Sequence, residues 1–360
     1  MTLVGSGLGL VGLRTMPLVG RRDERAALWE ELREVDRTGE PRAVVLRGPA
    51  GVGKSRLAEW FSRRADEVGG AQVLRVLHSE NGGAADGLAP SIVRHLRCKG
   101  LSLKEASEFV QRWLHDRMED PPLALMESLL SAVTGGYGVV NASAFFVDAA
   151  ERYRIFTDLL EVFCLERPVV LWIDDAQWGR DAVELAHHLM TTRKRLPVMV
   201  VLTVQDDEVS QATQRALELG EVGCLLPVEP LSGDEQIELV RQMLGLAPEL
   251  ARTVAERTGG NPLFATQLVR SWVVSDSLVP SAEGLRLSSD TASVPDDIHV
   301  LLADDFERII AAFVPRAPEA PELVELVAAL GNEVTDAERG ELGVDTQMMA
   351  EVMRALVAGG

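Results

Sequence analysis

The stretch Gly48-Pro49-Ala50-Gly51-Val52-Gly53-Lys54-Ser55 decides the fold of this 360-residue chain. It matches the pattern G-x-x-x-x-G-K-[ST], whose glycines let backbone N–H groups turn inward on phosphate groups. The apolar run 42–47 before it predicts a short buried strand, and a helical pattern begins at Arg56. Since the motif requires a strand, a loop and a helix in this order, the stretch predicts the phosphate-binding loop of a nucleoside triphosphatase.

The lysine of this loop is an uncommon residue type in the chain. Only four of the 36 basic residues are lysines, yet position 54 is one of them. A compact ammonium acts as a point charge that the planar guanidinium of arginine does not replace. We expect Lys54 to reach the β- and γ-phosphates, with a catalytic as well as a binding role, and the Ser55 hydroxyl to hold Mg²⁺. All eight loop residues, together with Arg56, are therefore candidate nucleotide-binding residues.

The composition is that of an ordinary globular protein, but the charge is not ordinary. Hydrophobic residues make up 46% and charged residues 25% of the chain, whose length suffices for two or three domains. The net charge is −19, and the stretch from Asp290 to Gly360 holds 15 acidic and four basic residues, a balance of −11. Because such a region repels nucleic acid, we expect no nucleic-acid partner.

Neither a membrane span nor a secretory context is predicted. No stretch reaches the ~18 uninterrupted apolar residues of a membrane span. The three cysteines are isolated, which favours reduced thiols in a cytosolic protein. Gly7, Gly9 and Gly12 match a dinucleotide-binding fingerprint, but no strand fits before them. We therefore interpret residues 1–17 as a flexible linker and predict a cytoplasmic location with no membrane partner.

Short apolar runs alternate with helical stretches over the first 230 residues, which is typical of a parallel α/β sheet. The candidate strands are 42–47, 72–77, 169–173, 198–203 and 224–228. A helical insertion at about 88–165 separates the second strand from the third and breaks at Pro121-Pro122 and at 134–138. Beyond Ser232 the pattern is helical. Its amphipathic segments and a hairpin-like stretch lie at 234–244, 248–257, 262–273 and 278–287.

An acidic pair, Asp174-Asp175, follows the third predicted strand directly. Both carboxylates then project at the carboxyl edge of the sheet, where ligands bind in open α/β sheets. We expect Asp174 to belong to the Mg²⁺ shell, mostly through water, and Asp175 to act as general base on the attacking water. The alternative is that the pair caps the next helix.

Further blocks occur in the order known from one protein family. They are Leu18-Val19-Gly20-Arg21 followed by Asp23-Glu24, the loop 48–55, VVLWIDDAQW at 169–178, Leu231-Ser232 with Glu235, and TGGNPLF at 258–264. Together they resemble the signal-transduction ATPases with numerous domains (STAND), a branch of the AAA-like P-loop ATPases. The resemblance covers roughly Leu18 to Val314.

The resemblance implies how a base is bound. Val19, Gly20 and Arg21 are similar to the family's N-terminal box, whose backbone lies against the adenine, and Pro262 is similar to the lid proline that packs on the base. Taken without the family, Asn261-Pro262 is a helix N-cap with proline at the first helical position. We therefore expect ATP or ADP, with Mg²⁺, rather than guanine nucleotides.

The resemblance also implies the architecture. The expected fold class is an α/β P-loop NTPase with a parallel five-stranded sheet, followed by a helical lid and the start of a winged-helix region. The expected parts are a linker at 1–17, a core at 18–230, a lid at 231–314 and an incomplete winged-helix-like helical region at 315–360. Modules of this family are fused to bacterial Ser/Thr kinases and transcriptional regulators.

One position departs from the family. At the end of the fourth strand the family commonly carries an arginine that senses the γ-phosphate, whereas this chain has Gln205. A neutral amide brings no charge to the phosphate, and this predicts slow hydrolysis.

These inferences favour a cytosolic ATP-binding switch with weak ATPase activity in bacterial signal transduction. Its expected partners are ATP and a kinase or another regulatory or output domain, and assembly into a homo-oligomer stays open. One alternative is a module that holds nucleotide without turnover, which Gln205 favours. Another is a nucleic-acid-remodelling ATPase of the same fold, which the acidic C-terminal region disfavours.

Overall fold

The computed structural model describes residues 17–80, 82, 86–134, 149–191, 195–206 and 210–288, with scattered positions between 298 and 324. Residues 1–16 of the predicted linker (1–17), residues 135–138 of the predicted break (134–138) and nearly all of the predicted winged-helix region lie outside the described residues. None of the helices in the described part combines the length and the apolar character that a membrane crossing needs.

The first part of the chain builds a sheet and the helices around it. Its elements are α1 (Arg22–Thr38), β1 (Arg42–Gly48), α2 (Lys54–Glu67), β2 (Gln72–Val76), α3 (Leu88–Leu96), α4 (Leu103–His115), α5 (Leu123–Val133), α6 (Ala149–Phe163), β3 (Val169–Ile173), α7 (Arg180–Thr191), β4 (Val198–Gln205), α8 (Gln211–Val222) and β5 (Cys224–Pro227). All five predicted strands are present, and α3 to α6 form the insertion. Helix α1 is not among the predicted elements, although Leu28, Leu32 and Val35 are buried at helical spacing.

The five strands are parallel and lie in the order β2-β3-β4-β1-β5. Strands β3 and β4 are buried almost throughout, because helices cover both faces of the sheet. In the pairing of β1 with β4, Gly48 lies opposite Gln205. The predicted α/β fold with a parallel five-stranded sheet is confirmed. Since β1, β4 and β3 are neighbours, the ends of these strands bring the loop, Gln205 and the acidic pair to one edge.

The predicted lid follows the sheet as a helical unit. It consists of α9 (Gly233–Leu244), α10 (Pro248–Thr258), α11 (Pro262–Val274) and an antiparallel hairpin of β6 (Leu278–Ser281) and β7 (Gly284–Leu287). Ser232 and Glu235 form a reciprocal capping box at the start of α9. The lid has its own apolar core, which also contains Val19 from the segment before α1. That segment therefore connects the lid to the sheet through packing.

Candidate nucleotide-binding site

A cavity of about 460 Å³ lies at the carboxyl edge of the sheet and is bounded on its other side by the lid. This volume falls within the ~300–1,000 Å³ of typical small-molecule sites. Among the predicted site residues, its wall contains Val19, Arg21, Asp175, Pro262 and the loop residues 51–56. The remaining predicted residues, Gly20, Gly48, Pro49, Ala50 and Asp174, lie outside the wall.

The loop between β1 and α2 has the backbone of a phosphate cradle. Gly51 and Gly53 have φ values of +78° and +99°, in the region that favours glycine. Gly51 is also confined by the lid, since a Cβ there would lie 2.6 Å from Asn261 Oδ1. The first turn of α2, at the positive end of the helix, begins directly at the cavity. The loop can therefore surround an anion with backbone donors.

Lys54 is buried and folds back along its own loop. Its Nζ donates to the carbonyl oxygens of Gly48 (2.8 Å) and Pro49 (2.7 Å). Two backbone carbonyls thus hold the ammonium group in the loop, within the wall of the cavity. Ser55 and Arg56 follow in the first turn of α2 and also line the cavity.

Asp175 is the member of the acidic pair that lines the cavity. It adopts the left-handed conformation, with φ 52° and ψ 52°, at the start of the short 3₁₀ turn Ala176–Trp178. Its side chain makes no capping hydrogen bond to that turn, so helix capping does not account for its position. Instead Asp175 Oδ1 accepts a hydrogen bond from Gln177 Nε2 at 3.2 Å. A non-glycine residue in this conformation is held there by its surroundings, as is common at functional sites.

Burial raises the pKa of the Asp175 carboxyl above its ordinary value, and the neighbouring charge of Asp174 raises it further. A hydrogen bond from Gln177, the charge of Lys54 and a hydrogen bond from Gln205 each act in the opposite direction. The carboxylate is therefore more basic than an exposed one and has polar partners on several sides, which suits a proton acceptor.

Asp174 lies behind Asp175 and is engaged on both carboxylate oxygens. Thr203 Oγ1 donates to Oδ1 at 2.9 Å, and Arg75 Nη2 donates to Oδ2 at 2.6 Å. Thr203 Oγ1 also accepts from the Asp175 backbone N–H at 2.9 Å, so one hydroxyl orients both acidic residues. The Arg75 guanidinium is itself placed by stacking 3.9 Å over the Trp172 ring. Neither Arg75 nor Thr203 is among the predicted residues, although Thr203 is a polar residue in an otherwise apolar run.

The lid and the N-terminal segment bond directly to the backbone of the loop. Asn261 Nδ2 donates to Ala50 O at 3.0 Å, and the Leu263 backbone N–H donates to Gly51 O at 3.2 Å. Arg21 Nη2 donates to Val52 O at 2.9 Å. Consecutive carbonyls of the loop are therefore held from outside the sheet. The sequence indicates Asn261 only as a helix cap, because its second role depends on how the lid docks.

A parallel sheet, a glycine-rich loop that ends in Lys-Ser, and an acidic pair after a neighbouring strand define a P-loop nucleoside triphosphatase fold. The AAA ATPase domain family matches residues 17–201, slightly more than half of the chain. The chain belongs to this family. Membership implies that it binds a nucleotide, and typically Mg²⁺ with it.

The relatives found are distant. An uncharacterised protein of Rhizobium meliloti (strain 1021) is 23% identical in an alignment of 335 residues that covers 89% of this chain and 30% of that protein. The Aeropyrum pernix ORC1 protein in complex with DNA is 15% identical, with 96% of this chain and 85% of that one covered and a TM-score of 0.47. The Drosophila ORC bound to DNA is 14% identical, with 97% and 91% covered and a TM-score of 0.46. Similarities at this level do not indicate what this chain binds.

Proposed function

We propose that the chain is an ATP-binding switch module of the STAND type, which acts in bacterial signal transduction and hydrolyses ATP slowly. The observation that carries the proposal is the contact of the lid with the phosphate loop. Helix α11 lines the cavity through Pro262 and bonds to the loop backbone through Asn261 and Leu263. A nucleotide in the cavity touches both parts, so exchange of ADP for ATP biases the position of the lid.

The proposed division of labour follows the parts of the chain. The core at 18–230 holds the phosphates, the lid at 231–314 closes on the base, and the winged-helix-like region at 315–360 passes the change to an output domain. The linker at 1–17 joins the module to an input domain such as a kinase. The relative from Rhizobium meliloti extends well beyond the aligned stretch, which fits a module that occurs with other domains. Self-association of the chain is an alternative route of output.

The residues at the cavity fit a magnesium nucleotide. Mg²⁺ takes one or two carboxylates together with water and substrate phosphates, and its chemistry is to neutralise charge on the β- and γ-oxygens. Ser55 would hold it from the wall and Asp174, which lies outside the wall, through water. Lys54 would bind the phosphates, and Asp175 would accept the proton of the attacking water. Adenine would lie between Val19 and Pro262.

Turnover and nucleotide content of the purified chain test this function. We expect bound or readily bound adenine nucleotide and slow, Mg²⁺-dependent hydrolysis. Asp174→Ala should abolish the Mg²⁺-dependent hydrolysis, while ADP still binds. A chain that neither carries nor binds adenine nucleotide would contradict the proposal.

Gln205→Arg should raise turnover more than it changes ATP affinity. Gln205 lines the cavity together with Asp175 and lies opposite Gly48 in the sheet, so a cation there would lie close to the reacting phosphate. Cationic fingers in related sites contribute about 10³–10⁵ in rate. We expect the wild-type chain to turn over well below ~1 s⁻¹, against ~1–100 s⁻¹ for kinases. Single-turnover experiments measure the hydrolysis rates of the wild-type chain and of the Gln205→Arg variant.

The control for that substitution is Gln214→Arg, which adds the same charge at an exposed position of α8. It should leave the rate unchanged. A fast wild-type rate that is independent of protein concentration would contradict slow switching. A rate that rises steeply with concentration would instead favour an arginine supplied by a second copy of the chain. No measurable hydrolysis in either form would favour a module that only holds nucleotide.

Asn261→Ala should weaken nucleotide binding and destabilise the lid. The substitution removes the acceptor for the N–H groups of Leu263 and Phe264, and the donor to Ala50 O. Loss of an N-cap costs about 1 kcal/mol of unfolding free energy. Ser102→Ala removes an N-cap of α4, away from the cavity, and is the matched control. Urea unfolding should show similar losses of stability for both variants, and ADP titration should show a loss of affinity only for Asn261→Ala. Equal ADP affinities of the two variants would contradict a role of Asn261 in nucleotide binding.

A further inference from the structure

The wall of the cavity is chemically divided. The part contributed by the loop and the strand ends carries charged and polar side chains, such as those of Lys54 and Asp175. The part contributed by the lid is apolar, with Leu231, Leu239, Pro262 and Leu263, apart from one residue. That residue is Thr266, one helical turn after Pro262 on α11. With the phosphates at the loop, the base would lie against the apolar part, where Thr266 is the polar residue of the wall.

The hydrogen of this hydroxyl already forms a hydrogen bond within α11. Thr266 Oγ1 donates to the carbonyl oxygen of Pro262 at 2.7 Å. A hydroxyl has one hydrogen and two lone pairs, so Oγ1 offers a ligand only an acceptor. To donate to a ligand, Thr266 would have to give up a short hydrogen bond inside a half-buried site.

We propose that Thr266 is the residue that selects the nucleobase, by accepting a hydrogen bond from the 6-amino group of adenine. A 6-oxo purine, such as guanine or hypoxanthine, presents an acceptor at the same position. Two acceptors then face each other without a hydrogen between them, which costs the desolvation of both. This inference rests on the proposed nucleotide site and adds the group that distinguishes one base from another. The contacts of Val19 and Pro262 are shape-based and discriminate less.

Calorimetric titration with ADP and inosine diphosphate tests the proposal, because the two ligands differ in the 6-amino group and in the adjacent ring protonation. The wild-type chain should bind ADP about tenfold or more tightly than inosine diphosphate. Thr266→Val keeps the shape of the side chain and removes the acceptor. Its preference should collapse to about twofold or less, because ADP loses a hydrogen bond and the 6-oxo group of inosine diphosphate no longer faces an acceptor. Thr266→Ser retains the hydroxyl and should keep the wild-type preference.

Thr253→Val is the matched control. Thr253 Oγ1 donates to Glu249 O at 3.0 Å at an exposed position of α10, so this variant loses the same kind of bond within a lid helix, away from the cavity. It should keep the wild-type preference. If Thr266→Val keeps the wild-type preference, or if the wild-type chain binds both diphosphates equally, Thr266 is not the residue that selects the base. The proposed nucleotide site is not contradicted by either result. If neither diphosphate binds the wild-type chain, the proposed function fails and this inference with it.

Discussion

Lys54→Ala is expected to weaken ATP binding by roughly 30-fold or more. Lys54 is the lysine of the loop, is 5% exposed and lies in the wall of the cavity, so its ammonium would meet the phosphates with little water between them. Loss of one partner from a buried, charge-assisted contact costs about 2–5 kcal/mol, a weakening of roughly 30-fold to several thousandfold. Isothermal titration with ATP and Mg²⁺ measures the loss.

Lys104→Ala is the control for this variant, since the Lys104 side chain is 88% exposed on α4 and its ion pair with Glu108 is weak. It should bind ATP as the wild-type chain does. The Lys54 ammonium also holds the carbonyls of Gly48 and Pro49, so the thermal midpoint of Lys54→Ala must be compared with the wild type. Unchanged ATP affinity in a folded Lys54→Ala protein would contradict the assignment of the loop as the phosphate site.

Asp175→Asn should suppress hydrolysis while nucleotide and Mg²⁺ binding persist. The amide keeps the size of the side chain but does not accept a proton, and general bases contribute typically about 10²–10⁴ in rate. Asparagine also tolerates the left-handed backbone conformation of this position, so the fold should be preserved. Single-turnover hydrolysis and ATP titration on the same preparation separate the two effects.

Asp66→Asn serves as the control, because Asp66 is an exposed carboxylate that pairs with Arg167 far from the cavity. Its rate should equal that of the wild type. If Asp175→Asn loses Mg²⁺ binding and retains hydrolysis, the roles of Asp174 and Asp175 are exchanged. Arg75 and Thr203 donate hydrogen bonds to the two carboxylate oxygens of Asp174. A direct contact of Asp174 with the metal would therefore require its ion pair with Arg75 to open.

Much of the fold is encoded locally and could be predicted. The five strands are short apolar runs between helical stretches, and their predicted bounds differ from the observed ones by at most two residues. The order β2-β3-β4-β1-β5 was not predicted, because strand pairing joins distant segments that no local pattern connects. Helix α1 had a usable signal in Leu28, Leu32 and Val35, but its N-cap is Arg21 in a left-handed conformation rather than a usual capping residue.

The candidate site likewise has one part that is encoded locally and another that depends on contacts between distant segments. The loop and the acidic pair carry their chemistry in contiguous residues, so they could be identified from the sequence. Arg75 and Asn261 bond to partners that are distant in sequence, Asp174 and Ala50. The proposed role of Thr266 depends on the direction in which its hydroxyl donates. Such roles depend on strand register and on lid docking, and neither can be read from the residue type alone.

We expect one nucleotide to lie between the phosphate loop and the lid. Amide hydrogen exchange with and without ADP tests this placement, because protection reports which backbone segments open. We expect ADP to slow exchange together at 50–57 in the loop and at 263–267 in α11, while α4, far from the cavity, stays unchanged. Protection of the loop alone, with exchange in α11 unaffected by ADP, would contradict the account.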